Sequence, residues 1–225
     1  MKKHFLYSLG LLMSLLTLSS FTDGPDNTNT YINGHEYVDL GLSVKWATCN
    51  VGASKPEESG GYYAWGETEE KDDYGWWDTY KWCEGDECSM TKYCIDSYYG
   101  KIDNKMVLAP EDDVAHVKWG GTWRMPTIEE IKELINECTW QWTNRRGVYG
   151  YRVFGPNGNS IFLPAAGFRY CTDLYDTGYN GYYWSSSLYE GYSNGAYYWC
   201  FTSDGYEWAY FNNRYLGHSV RPVSK

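Results

Sequence analysis

Three sets of residues in this 225-residue chain have types and spacings that could do chemistry. The first is the cysteines: Cys49, Cys83, Cys88, Cys94, Cys138, Cys171 and Cys200. Cys83-Glu84-Gly85-Asp86-Glu87-Cys88 places two thiols and three carboxylates within six residues. Structural zinc sites pair thiols two to four residues apart and then repeat the pair, often with histidine. No second pair follows, and His4, His35, His116 and His218 are scattered. Neither a metal site nor a cofactor is expected. An odd number of thiols leaves at least one unpaired in an oxidising compartment. Cys83 and Cys94 flank a compact polar loop, and one local bridge is expected there.

The second set is acidic. Glu111-Asp112-Asp113 could be a catalytic acid pair, but Pro110 precedes it and an apolar run follows. Carboxylates and proline are what a helix start favours, so that is the expected role. His-Glu-x-x-His and a phosphate-binding glycine loop are both missing from the sequence. No catalytic residue is nominated, and a non-enzymatic protein is expected.

The third set is aromatic. The chain holds 24 Tyr, 12 Trp and 7 Phe, and 17 of its last 56 residues are aromatic while only eight are charged. Tyrosine among Gly, Ser and Asn is the composition of antibody-type paratopes, which combine rigid contact area with adaptable hydrogen bonding. Tyr170, Tyr175, Tyr179, Tyr189, Tyr192, Tyr210 and Tyr215 lie in such surroundings and are expected to be exposed. Along residues 197–202, side chains alternate across the strand. Tyr197, Trp199 and Phe201 are assigned to the core; Tyr198, Cys200 and Thr202 to solvent. The next segment sets Tyr206 and Trp208 against Glu207 and Ala209, followed by Tyr210 and Phe211. Trp184, Trp199 and Trp208 are expected to be core. The binding face is therefore drawn from residues 170–218, with Leu216 completing it.

The elements that must position these residues are legible in part. Residues 1–20 carry Lys2-Lys3, an apolar run from Phe5 to Leu18 and Ser19-Ser20, the layout of a secretory signal peptide and too short to span a bilayer. Phe21 follows, so no thiol is available there for lipidation. Residues 21–30 read as a flexible leader and 31–225 as one domain. The formal charge is −10. Without Lys2 and Lys3 the balance is 17 basic against 29 acidic residues, or −12. That opposes nucleic acid, whose binding rests on Lys and Arg, and opposes direct docking on anionic lipid. Mean hydropathy is −0.60, yet the aromatic content rules out a disordered chain.

Opening strands are expected within 37–47, and long folded loops with their own tryptophans (Trp65, Trp76, Trp77, Trp82) between about 52 and 100. Thr127 with Glu130 three residues on is a capping-box signature. Ile128, Ile131, Leu134, Ile135 and Cys138 then share one helical face, predicting a helix over 128–138. Strands at 150–154 and 160–164 flank Gly155-Pro156-Asn157-Gly158-Asn159, a hairpin turn. Further strands are expected at 182–187, 196–202, 206–211 and 218–223.

Several phrases resemble the Fibrobacter succinogenes major paralogous domain family. They are Tyr37-Val38-Asp39-Leu40-Gly41-Leu42-Ser43-Val44-Lys45-Trp46-Ala47, Tyr63-Ala64-Trp65-Gly66-Glu67-Thr68 and Gly120-Gly121-Thr122-Trp123-Arg124-Met125-Pro126-Thr127. Phe162-Leu163-Pro164-Ala165-Ala166-Gly167, Tyr183-Trp184-Ser185-Ser186-Ser187 and Ser219-Val220-Arg221-Pro222-Val223 follow. The resemblance spans about residues 31–223. It implies an exported protein of α+β class with a C-type-lectin-like fold: twisted antiparallel strands, two or so helices, long loops, and first and last strands paired. The Arg-Met-Pro-Thr-x-x-Glu phrase also resembles formylglycine-generating enzymes of the same fold. Those enzymes use a reactive cysteine pair near the C-terminus, and no cysteine stands close to Arg221-Pro222-Val223. The Glu-Pro-Asn and Trp-Asn-Asp phrases on which sugar-binding C-type lectins hold Ca²⁺ are missing too.

The expected function is an exported, non-enzymatic module that recognises an extracellular protein or glycan. Its ligand face comprises Tyr170, Tyr175, Tyr179, Tyr189, Tyr192, Tyr198, Cys200, Thr202, Glu207, Ala209, Tyr210, Phe211, Tyr215 and Leu216. Relatives of this fold are targets of diversity-generating retroelements, which randomise adenines. An AAC codon so treated can yield Tyr, Cys, Thr, Phe, Leu, Ala or Asp, the residues found at Tyr198, Cys200, Thr202, Ala209, Tyr210, Phe211, Tyr215 and Leu216. Glu207 falls outside that set. The alternative is a structural part of a surface or fimbrial assembly. The sequence leaves the oligomeric state open.

Overall fold

Packing of the sheets and helices was traced in a computed structural model, which describes residues 30–205 and 207–225. The signal segment 1–20, nearly all of the leader 21–30, and Tyr206 lie outside the described residues. The chain is of α+β class, mostly antiparallel strands with two α-helices among the described residues. It opens with β1 (Thr30–Ile32), β2 (His35–Val38) and β3 (Lys45–Ala47). The closing strand of this sheet is β12 (Val223–Ser224), which pairs with β3 through Val223 and Trp46. The last strand therefore lies beside the third rather than the first, although the two ends of the domain do meet. Of the strand expected at 218–223, only its end is regular. The rest runs extended and bridges Tyr63 and Tyr183.

The expected acidic helix start divides in two: Pro110–Asp112 form one 3-10 turn, and α1 (Val114–Trp119) begins after it. Asp113 caps α1 by accepting from the Ala115 and His116 amides, and its other oxygen accepts from Met125 N–H. Asp112 accepts from Tyr93 Oη and pairs with Lys92. Both buried acids are thus fully engaged in structure. α2 (Ile128–Glu137) has the capping box that Thr127 and Glu130 announced. Glu130 also holds Arg124 through two bonds, of 2.8 and 2.5 Å. The Arg-Met-Pro-Thr-x-x-Glu phrase is therefore a helix-opening clamp.

β4 (Thr139–Arg145), β5 (Val148–Phe154) and β6 (Ser160–Pro164) form a three-stranded meander containing the expected hairpin. A short ribbon follows, β7 (Phe168–Tyr170) with β8 (Asp173–Tyr175). Its entry needs glycine: Gly167 has φ +67, and a Cβ there would collide with the Tyr175 carbonyl. β9 (Asn180–Leu188), β10 (Gly195–Thr202) and β11 (Glu207–Asn213) make the third sheet, with β10 in the middle and β11 at the edge.

Two hydrophobic clusters sit on opposite sides of that sheet. Trp199, Phe201 and Tyr183 face Ile131, Leu134, Val153 and Leu163 of α2 and the meander. Trp184, Tyr198 and Cys200 face Trp65, Tyr63, Trp123 and Leu216. Two buried arginines, with no carboxylate among their bonded partners, tie the long loops to this frame. Arg214 donates to Tyr80 Oη and to the Lys92, Tyr93 and Ser193 carbonyls. Arg221 donates to Asn50 Oδ1 and the Ala47, Thr48 and Phe162 carbonyls. A buried cation is tolerated when its donors are all satisfied. Ser185, Ser186 and Ser187 are buried in β9, where Ser187 Oγ accepts from Ile128 N–H and so docks the start of α2.

All seven cysteines are free, which overturns the one local bridge expected in the loop that holds Cys83, Cys88 and Cys94. The Cys83 thiol is turned onto the Trp77 carbonyl at 2.7 Å, and the buried Cys94 thiol onto the Asp96 carbonyl at 3.1 Å. Among the described residues no cluster of three His, Cys, Asp or Glu could hold a metal ion. No described helix is long and apolar enough to cross a membrane.

Candidate functional site

Directly paired residues of antiparallel strands point to the same side. Cys200 pairs with Tyr182 and Trp208, and Tyr198 with Trp184 and Tyr210. This face of the third sheet carries the floor and part of the rim of an aromatic band. At its centre Tyr198 is only 8% exposed, stacked on Tyr182 with ring centroids 6.0 Å apart. Phe168 packs on Tyr182 at 4.8 Å and on Tyr175 at 5.6 Å. Tyr170 follows, in contact with Tyr175, Tyr215 and Trp76 at about 6.4 to 6.5 Å. Trp76, 62% exposed, ends the band on that side.

On the other side the edge strand carries Trp208 and Tyr210, the latter 55% exposed. Tyr210 touches Phe211, which pairs with Tyr197 and so points to the other side of the sheet; the series continues around the edge strand to Tyr189, stacked on Phe211 at 4.1 Å, and Tyr192 at 5.5 Å. Tyr99 and Tyr98 continue the series. Hydroxyl groups along the band are partly tethered: Tyr182 donates to Asp176 Oδ2 at 2.7 Å, and Tyr197 to Glu190 Oε2 at 2.8 Å. The band is thus a broad surface of ring faces, hydroxyls and carboxylates.

The expected face is redrawn in several places. Tyr198, Cys200, Tyr215 and Leu216 are buried rather than solvent-facing. Alternation misled because β10 is sandwiched between two cores, so neither of its faces is wet. Tyr198 and Cys200 have pKa values pushed up to about 12 by burial, so Cys200 is a packing residue and not a reactive thiol. Tyr215 is edge-on to Trp77 at 4.7 Å beneath Tyr170, and Leu216 belongs to the cluster around Trp65 and Trp184. Ala209 packs on the opposite side of the sheet, across from Trp199. Thr202 and Glu207 stand at the far end of the strands, where Tyr151 Oη donates to the Thr202 carbonyl. Burial raises the Glu207 carboxyl above its usual range. Tyr179 is exposed but faces a different hollow, with Trp142 and Tyr149.

In the opposite sense, Trp208 is exposed where a core residue was expected, because β11 is an edge strand with nothing covering that position. Tyr197 is half-buried while Trp199 and Phe201 are core, as their spacing indicated. Trp76, Tyr98, Tyr99, Phe168 and Tyr182 join the band without having been nominated. Trp76 gave one sequence signal, a tryptophan doublet between Gly75 and Asp78. The others became visible only through tertiary contacts.

No family model matches this chain, and no curated protein or solved structure matches it either.

Proposed function

We propose that this is an exported, non-enzymatic recognition module of C-type-lectin-like fold, related to the Fibrobacter succinogenes major paralogous domain family. Its aromatic band engages an extracellular protein or glycan. The observation that carries this reading is the run of half-exposed and exposed rings from Trp76 through Tyr175 and Tyr210 to Tyr192. Exposed aromatic surface on this scale is unfavourable unless something covers it. Tyrosine and tryptophan are the side chains that most often dominate interfaces. The breadth of the band favours a protein over a small ligand. The fold assignment draws support from the meeting of the chain's two ends at β3 and β12, and from the long loops packed around the sheet.

Export follows from the layout of residues 1–20. Diversification by a retroelement is the finer part of the proposal. Burial confines it to the accessible members of the residue set, Thr202, Ala209, Tyr210 and Phe211.

The experiment is a binding screen of the mature chain against exported proteins and a glycan array, repeated with Tyr175, Tyr192 and Tyr210 all changed to Ala. The proposal predicts at least a tenfold loss of affinity for whatever partner is found. Unchanged binding by the triple variant contradicts it. For diversification, the gene should carry AAC-derived codons at 202 and 209–211 and a near-copy of that stretch beside a reverse transcriptase.

A further inference from the structure

A second concave surface lies outside the band, where the meander meets the ends of β9 and β10. Two adjoining hollows of about 500 and 520 Å³ share Trp142 and Ser203 in their walls. In the first, Trp142 and Tyr149 present nearly parallel rings, 5° apart with centroids at 6.2 Å. Tyr149 is 51% and Tyr179 68% exposed, so two large rings stand open to solvent in one shallow cleft. In the second, Asp204 and Glu207 line the wall beside Trp140 and Tyr151.

This platform is rigid from behind. Trp142 packs edge-on to Tyr151 at 5.1 Å, and Tyr151 to Phe201 at 5.2 Å, both within or against the inner cluster. Backbone bonds fix the other wall: Ser203 N–H donates to the Tyr179 carbonyl, and Gly178 N–H to the Ala165 carbonyl. Trp142 and the backbone of the opposite wall are therefore held in place before any ligand arrives, which lowers the ordering cost of binding.

We infer that this cleft binds a neutral glycan chain, stacking a pyranose ring on Trp142 and Tyr149 while its hydroxyls bond Asp204, Glu207 and Ser203. The chemistry divides along the two hollows. A pyranose has an apolar C–H face that suits the negative face of an aromatic ring. Its equatorial hydroxyls are donors, and a carboxylate accepts such bonds in short, charge-assisted form. Among the described residues lining the two hollows there is no Lys or Arg, and the chain is acidic overall. That composition disfavours sulfated or uronic-acid sugars and leaves neutral ones. A basic peptide could also meet acids and rings, but only two carboxylates stand here. Two parallel, mutually stacked rings do not surround a cation as an aromatic cage does.

The test is a calorimetric or fluorescence titration of the mature chain with cellohexaose, mannohexaose, xylohexaose and galactohexaose, and with hexalysine. At least one hexasaccharide should bind with Kd of about 1 mM or tighter. Affinity should change little between low and physiological salt, because the ligand is uncharged. Trp142→Ala should weaken that binding at least tenfold. Tyr149→Ala and Tyr179→Ala are exposed and keep the test valid should Trp142→Ala disturb the fold; each should cost at least threefold. Tyr210→Ala, in the band, should leave it unchanged. Failure of all four hexasaccharides overturns the inference. So does binding of hexalysine alone, or saccharide binding that survives both exposed-ring substitutions. Loss through Tyr210→Ala alone would move the glycan to the band and likewise overturn it, while leaving the band proposal standing.

Discussion

The floor and the rim of the aromatic band are built from the same residue types and differ in what surrounds them. The floor residues Tyr198, Trp184 and Tyr215 are enclosed, and His218 among them is fully buried. His218 stacks on Trp184 at 4.1 Å and has no hydrogen-bond partner at either ring nitrogen. The rim residues Trp76, Tyr175, Tyr192 and Tyr210 also make ring contacts, and with Trp208 they remain open to water. Composition alone therefore says little about role. Enclosure decides it, and enclosure is set by which strand is central and which is at the edge.

The strongest test of the floor is Arg214. Arg214→Met would strand three carbonyls in the interior and remove one partner of the Tyr80 hydroxyl, and should cost about 3–5 kcal/mol or abolish folding. Ile131→Asp, which buries an unpaired charge under α2, should be similarly severe at several kcal/mol, roughly the range for a lone interior carboxylate. Chemical denaturation of both variants checks this pair. Tyr198→Ser and Tyr215→Ser should each cost about 2–4 kcal/mol, from lost burial and the cavity left behind.

His218 gives a pH test of the same enclosure. Burial lowers its pKa to about 3, against 6.5 ordinarily. The unfolded chain therefore binds a proton that the folded chain refuses. This contribution to stability is complete above about pH 6.5 and is lost progressively as pH falls toward 3, at about 1.4 kcal/mol per pH unit. Comparison of wild type with His218→Phe between pH 7.5 and 5 isolates it from the carboxylates. The wild type should lose about 2 kcal/mol more than the variant over that interval.

Much of the frame was legible in the sequence. The capping box at Thr127 and Glu130, the hairpin at 155–159 and the strand spans of β9 to β11 each rest on local rules, and the structure follows them to within a residue or two. The candidate site was legible only in composition. Period-two alternation identifies the wet face of a strand when just one face is buried. β10 has cores on both sides, so Tyr198 and Cys200 were assigned to solvent that is not there. Nothing local distinguishes Trp208 at an edge from Trp199 at the centre. Arg214 carried no sequence signal for its interior position, because its partners are backbone carbonyls 21 or more residues away.

The central claim, that the rim is free of folding duties while the floor is not, is tested most directly by paired unfolding curves. One variant carries Tyr175→Ser, Tyr192→Ser and Tyr210→Ser together; the other carries Tyr198→Ser alone. Each rim substitution should stay within about 0.5 kcal/mol of neutral, so the triple rim variant should unfold close to wild type. The single floor variant should unfold several degrees earlier. If the three rim substitutions melt the protein as badly as the one at Tyr198, those rings are structural and the surface proposed for recognition is part of the core.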